Sequence, residues 1–270
     1  MLDIPLMAAL TALGLVTGFL AGLLGIGGGM LMVPFITLLL THQGIDTGLA
    51  VKMAIATSMA TIVFTSVSSV RAHHKKQAVR WDIVLRLSPG IVAGAALASV
   101  GVFSVLKGNV LALLFAGFVG FSATQMLLNK KPAASRALPG TLGQWGAGGV
   151  IGFLSGLVGA GGGFVSVPYM TWCNVAIHNA VATSSALGFP IALANTVGYI
   201  IAGEELAALP NGSFGYVYLP ALGAIAVASV LTAPWGAKAA HALPVATLKR
   251  VFALVLYLLA GYMLYRGIRA

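Results

Sequence analysis

The stretch Gly18-Phe-Leu-Ala-Gly-Leu-Leu-Gly-Ile-Gly-Gly-Gly29, followed by Val33-Pro34-Phe35, returns as Gly152-Phe-Leu-Ser-Gly-Leu-Val-Gly-Ala-Gly-Gly-Gly163, followed by Val167-Pro168-Tyr169. A match of this length makes the chain an internal duplication. The next segment repeats as well, Lys52-Met-Ala-Ile-Ala-Thr-Ser58 against His178-Asn-Ala-Val-Ala-Thr-Ser184, and Pro89 and Pro220 take comparable places two helices before each half ends. The halves meet between residues 129 and 144, so the expected units are 1–134 and 135–270. Each reads as a glycine-broken helical hairpin plus three transmembrane helices, in an all-α integral membrane protein.

Composition agrees. Of 270 residues, 59% are hydrophobic and 7% charged, against about 25% charged in ordinary soluble domains. Asp3, Asp46, Asp82, Glu204 and Glu205 all lie at the edges of apolar stretches or outside them. That leaves no deep carboxylate for a cation site or a carboxylate proton relay. The single Cys173 excludes a disulfide framework and a cysteine metal cluster. A formal charge of +10 could point to nucleic acid, but the basic residues sit in short loops, where they encode membrane orientation.

Seven apolar runs are long enough to cross a hydrocarbon core: Pro5–Leu24, Gly48–Val70, Ile83–Leu106, Val110–Leu128, Val181–Ala202, Tyr216–Trp235 and Val251–Tyr265. Met30–Leu40 and Phe164–Trp172 follow the glycine clusters and, at about ten residues, span roughly 15 Å each, half a bilayer. Placing the Arg71–Arg80 cluster and Lys130-Lys131 inside gives ten basic loop residues inside and three outside for inverted halves, against nine and four for parallel ones. The short half-helices and the acidic 204–205 loop favour the inverted arrangement.

With both glycine motifs, both Ala-Thr-Ser motifs and the basic loop in place, the whole chain resembles the TauE/SafE family, also described as sulfite exporters or four-helix-repeat anion permeases. The resemblance implies movement of small sulfur-containing or organic anions, such as sulfite or sulfonates, across the bacterial inner (cytoplasmic) membrane. The family's His-x-Ala-x-Ala-Thr-Ser pattern matches His178–Ser184, whereas the first half departs from it with Lys52.

Three features are candidates for the substrate site. The turns at Gly27, Gly28 and Gly29 and at Gly161, Gly162 and Gly163 free main-chain N–H groups, which with the helix starts behind them can hold an anion. The upstream Gly14, Gly18 and Gly22, like Gly148, Gly152 and Gly156, form small-xxx-small faces suited to tight packing. Lys52 and His178, at equivalent positions, offer a permanent and a titratable charge; the alternative is a snorkelling lysine and an interfacial histidine. The hydroxyls of Ser58, Thr61, Thr65 and Ser68 share one helical face, and the second half offers Thr183, Ser184, Gly188 and Asn195; Thr57 joins the list beside Ser58. Ordinary interhelical hydrogen bonding is the competing explanation. His42, His73, His74 and His241 are expected to be solvated in loops.

The expected function is a secondary transporter, working as an exporter of small anions by alternating access, with its site where the two glycine-broken helices meet. A passive anion channel with the same lining is the alternative. A membrane-embedded enzyme lacks a catalytic constellation. The expected partners are a small anionic substrate and the lipid bilayer, without nucleic acid or cofactor, and a homo-oligomer is compatible. On this reading Gly28→Ala or Gly162→Ala impairs transport more than folding, and Lys52→Gln weakens anion binding.

Overall fold

The computed structural model of the protein describes residues 4–25, 28–128, 136–204, 209–242 and 245–269. The chain folds into α1 (Ile4–Leu24), α2 (Gly29–His42), α3 (Thr47–His74) and α4 (Trp81–Ala96), which runs through a π-helical turn, Leu97–Val102, into the single turn α5 (Phe103–Val105). Then come α6 (Gly108–Leu128), α7 (Thr141–Val158), α8 (Gly163–Trp172), α9 (Ile177–Gly203), a two-residue hairpin of β1 (Ser213–Phe214) and β2 (Val217–Tyr218), α10 (Leu219–Ala242) and α11 (Val245–Arg269).

Among the described residues, seven helices are long and apolar enough to cross a membrane, and they coincide with the seven apolar runs of the sequence. The protein is therefore a multi-pass membrane protein. Thr47–His74 has 72% of its most apolar window buried, against 33% for Val251–Arg269, so α3 is central and α11 peripheral. One length differs from expectation. α8 has the 10 residues of a half-helix, but α2 has 14, about 21 Å, because Thr41 and His42 continue it to its Gln43 cap. The prolines differ too: Pro89 lies within α4 while Pro220 is in the first turn of α10, so the two mark corresponding helices at different positions.

The glycine clusters break the helices for a stereochemical reason. Gly25 and Gly28 have φ of 67° and 73°, and Gly159 and Gly162 have 72° and 77°, a left-handed conformation that a side chain disfavours. Between these breaks the two turns touch: a β-carbon on Gly29 would lie 3.0 Å from Ala160 Cα. The upstream glycines do pack helices, as expected. Gly14 and Gly18 seat α1 on Ile225, Ala228 and Ser229 of α10, while Gly148 and Gly152 seat α7 on Leu87 and Ile91 of α4. Such close backbone approach is how helices associate where lipid removes the hydrophobic drive.

The central pair, α3 and α9, runs antiparallel. Asn179, at the start of α9, donates to Ala78 O just past the end of α3 at 2.9 Å. At the other end Tyr216 N donates to Tyr199 O late in α9 at 3.3 Å, and Lys52 Nζ, early in α3, lies 5.5 Å from the Tyr216 ring.

Candidate functional site

The Ala-Thr-Ser segments occupy the middle of this pair and bond across it. Ser58 Oγ donates to Gly159 O at 2.8 Å, and Ser184 Oγ donates to Gly25 O at 2.9 Å. Each serine thus ties the other half's helix-breaking glycine. The threonines exchange in the same way. Thr57 Oγ1 accepts from Tyr218 N, just before α10, at 2.9 Å, and Thr183 Oγ1 accepts from Arg80 N, just before α4, at 3.0 Å. All four side chains are fully buried. They form four reciprocal clasps between residues of the first and second halves.

Beside one clasp lies a small cavity. It is walled by Ala21 and Gly25 at the end of α1, by Ile62, Thr65, Ser66 and Ser69 of α3, by Gly161, and by Ser184, Ser185 and Gly188 of α9. Its centre has about 10 Å³ for a water-sized sphere, room for about one water. The lining contains no charged residue, so its polarity comes from five hydroxyls and the main chain. Four of these hydroxyls are already bonded: Ser66 to Val63 O at 3.0 Å, Ser185 to Val181 O at 3.2 Å, Thr65 with Ser229 Oγ at 2.6 Å, and Ser184 to Gly25 O. The buried Ser69 hydroxyl has no partner. Gly161 stands two residues before the start of α8, whose first N–H groups lack helical acceptors and carry partial positive charge.

The structure distributes the expected site residues as follows. Gly161 and Ser184 line the cavity. Gly28 and Gly162 are the left-handed N-caps of α2 and α8, and Gly29 and Gly163 begin those helices, buried. Gly27 lies outside the described residues. Thr57, Ser58 and Thr183 serve the clasps. Lys52 is half-buried and donates to Ser104 O at 3.2 Å, with its ammonium 5.5 Å from the Phe103 ring. His178 is exposed at the start of α9. Because α3 and α9 are antiparallel, these two equivalent residues stand at opposite ends of the pair, and neither is part of the cavity wall. Asn195 is fully buried and donates its amide to Ile191 O at 2.8 Å, so the atom it leaves unbonded is an acceptor.

Two expectations change. His73 is fully buried, not solvated, with Nε2 3.0 Å from Gly22 O. α3 continues four residues beyond Val70 and carries the imidazole to the Gly22 carbonyl. Gly28 and Gly162 are also structural: their φ values are left-handed, and a β-carbon on Gly28 would lie 2.9 Å from Thr17 O, so alanine there strains the fold directly. The residues missed are Ser66, Ser69 and Ser185. Ser69 continues the spacing Ile62, Thr65, Ser69, His73, which leaves the chosen hydroxyl stripe at Thr65, and Ser66 follows Thr65 directly.

Among the described residues no group of His, Cys, Asp and Glu could hold a metal ion. The family described as Sulfite exporter TauE/SafE matches residues 10–263. A probable membrane transporter protein of Haemophilus influenzae is 36% identical, covering 92% of this chain and 94% of its own. A second, of Methanocaldococcus jannaschii, is 27% identical over 85% of this chain and 82% of its own. The probable membrane transporter protein YunE of Bacillus subtilis is 30% identical over 76% and 84%. No solved structure matches the chain.

Proposed function

This chain belongs to the sulfite exporter TauE/SafE family, and on that premise we propose that it is a secondary transporter exporting small anions, sulfur-containing or organic, such as sulfite or sulfonates, across the bacterial inner membrane. The supporting observation is the hydroxyl-lined cavity, whose walls come from both halves of the chain and which adjoins the N-terminal end of α8. Hydroxyl donors and a positive helix end suit an anion, while the absence of lysine or arginine from the lining keeps binding weak enough for release.

The cavity in this conformation is contracted. An anion larger than water enters only when α9 parts from the Gly25 turn and Ser184 gives up its bond to Gly25 O. That requirement favours alternating access over an open channel. The antiparallel course of α3 and α9, the packing of α1 on α10 and of α7 on α4, and the reciprocal clasps all support two inverted repeats, 1–134 and 135–270. In such transporters the substrate sits at the repeat interface, among broken helices.

The test is thermal unfolding of the purified full chain in detergent against sulfite, thiosulfate, sulfoacetate, taurine, acetate, lactate and chloride. A ligand at 100 times its Kd stabilises by about 2.7 kcal/mol. One class of anion should raise Tm selectively, and Ser69→Ala should weaken that response. A folded wild type with no selective rise contradicts the reading.

A further inference from the structure

The cavity is sealed unequally at its two ends. Ser69, its wall residue nearest the end of α3, stands five residues before His74, roughly 7.5 Å along the helix, whereas Ile62 stands fifteen residues after Thr47, roughly 22 Å. The thin end faces the loop that carries Arg71, Lys75, Lys76 and Arg80.

What closes each end also differs in kind. The thick end, beside Lys52, holds aromatic rings: Phe103 packs against Tyr199 and Tyr216 with centroids 4.4 and 5.5 Å away, and Tyr199 is fully buried. The thin end holds small residues and hydrogen bonds. Three of these bonds tie the start of α9 to the first half: Asn179 Nδ2 donates to Ala78 O at 2.9 Å, Thr183 Oγ1 accepts from Arg80 N at 3.0 Å, and Ser184 Oγ donates to Gly25 O at 2.9 Å. His73 completes the closure, its ring bonded to Gly22 O and its own carbonyl accepting from Ala78 N at 3.3 Å. Bonded groups thus run from α1 through His73 and Ala78 to Asn179 of α9. At an aqueous face such bonds are exchanged for bonds to water at small net cost, whereas withdrawing a buried ring forfeits the apolar area it covers. The bonded end is the one that yields.

We propose that His73 and Asn179 are the latch of a gate at the start of α9, whose release opens the cavity to the face carrying the basic loop while the aromatic end stays shut. This deepens the transporter reading and rests on it for its purpose, but its test needs no substrate. An anion reaches this mouth past the exposed Arg71, Lys75 and Lys76, whose positive potential raises its local concentration.

The test is modification of a cysteine in the cavity wall, Ser69→Cys in a Cys173→Ser background, by a membrane-impermeant methanethiosulfonate reagent added outside sealed proteoliposomes. Cys173 is the chain's single cysteine, so the label reports one position. A separate Lys75→Cys protein gives the fraction of molecules whose basic loop faces outward. With the latch intact the cavity cysteine should react slowly. Adding Asn179→Ala or His73→Ala should accelerate it at least tenfold, with labelling that saturates at the fraction Lys75→Cys reports, and His73→Gln, which keeps a donor, should restore the slow rate. Should His73→Ala fail to fold, Asn179→Ala, at a half-buried position, carries the test alone. An unchanged rate in folded Asn179→Ala overturns the proposal. So does labelling of the complementary fraction, which puts the mouth at the aromatic end, or of every molecule, which marks general loosening. Side-specific acceleration without a Tm response to any anion keeps the gate and removes the anion reading; a selective anion response without acceleration does the reverse.

Discussion

The two seams flanking the α3–α9 pair have the same frame and different contents. In one, Thr65, Ser66 and Ser69 face Gly188 across a water-sized space. In the other half the corresponding residues are Ile191, Ala192 and Asn195, and the counterpart of Gly188 is Ile62. The frame is the repeated part: Ser58 and Ser184 each hold the other half's glycine carbonyl, and Thr57 and Thr183 each hold the chain just before a helix. Residues that recur between the halves thus fix backbone, and residues that differ set the polarity of each seam.

The glycine turns give the largest expected effect. Gly162→Ala and Gly28→Ala force a left-handed alanine, about 1–3 kcal/mol of strain, onto positions already in contact with Ile191 and Thr17. Both should lose most folded protein by size-exclusion yield, and normal yield with lost transport would return these glycines to a purely functional role. Next come the clasps. Ser58→Ala and Ser184→Ala each leave a buried glycine carbonyl short of a donor, worth about 1–3 kcal/mol, and Ser184→Ala also strands the buried Ser166 hydroxyl that donates to it at 2.8 Å, so both should lower Tm, Ser184→Ala by more; a loss in only one breaks the symmetry of the frame. Of the pair, Ser184→Ala should also weaken anion stabilisation, because its hydroxyl lines the cavity.

Gly188→Ala separates packing from function. Its β-carbon would rest 3.4 Å from Ser66 Cβ and 3.9 Å from Gly161 O, ordinary contacts, so Tm should change little while transport falls at least tenfold as the cavity fills. The smallest effect belongs to Lys52→Gln. The lysine bonds Ser104 O near the far end of α3, and anion transport should change less than twofold. A larger loss would place positive charge at the site after all.

The spans were legible because hydropathy is a local property and α1, α3, α6 and α9 each carry it in one run. The duplication was legible because glycines at left-handed turns and hydroxyls at clasps tolerate few replacements. Partners across the fold were not. Nothing in the spacing of Ser58 says that its acceptor is Gly159, and a stripe drawn through Ser58, Thr61, Thr65 and Ser68 misses Ser66 and Ser69 by one face of the same helix. Lys52 and His178 show the cost of matching positions without direction: in an antiparallel pair, equal sequence positions lie at opposite ends. His73 was misread because a basic run suggests a loop, whereas α3 runs on through it and turns its imidazole to the Gly22 carbonyl.

The central claim is that the anion site is the hydroxyl cavity between the halves. Counterflow of a labelled sulfur anion, chosen by thermal shift, in proteoliposomes carrying wild type, Ser69→Ala, Gly188→Ala or Lys52→Gln tests it most directly. The account predicts saturable counterflow in wild type and Lys52→Gln, and loss of at least tenfold in the two cavity variants at normal incorporation. Full counterflow in both cavity variants, or loss confined to Lys52→Gln, would contradict it.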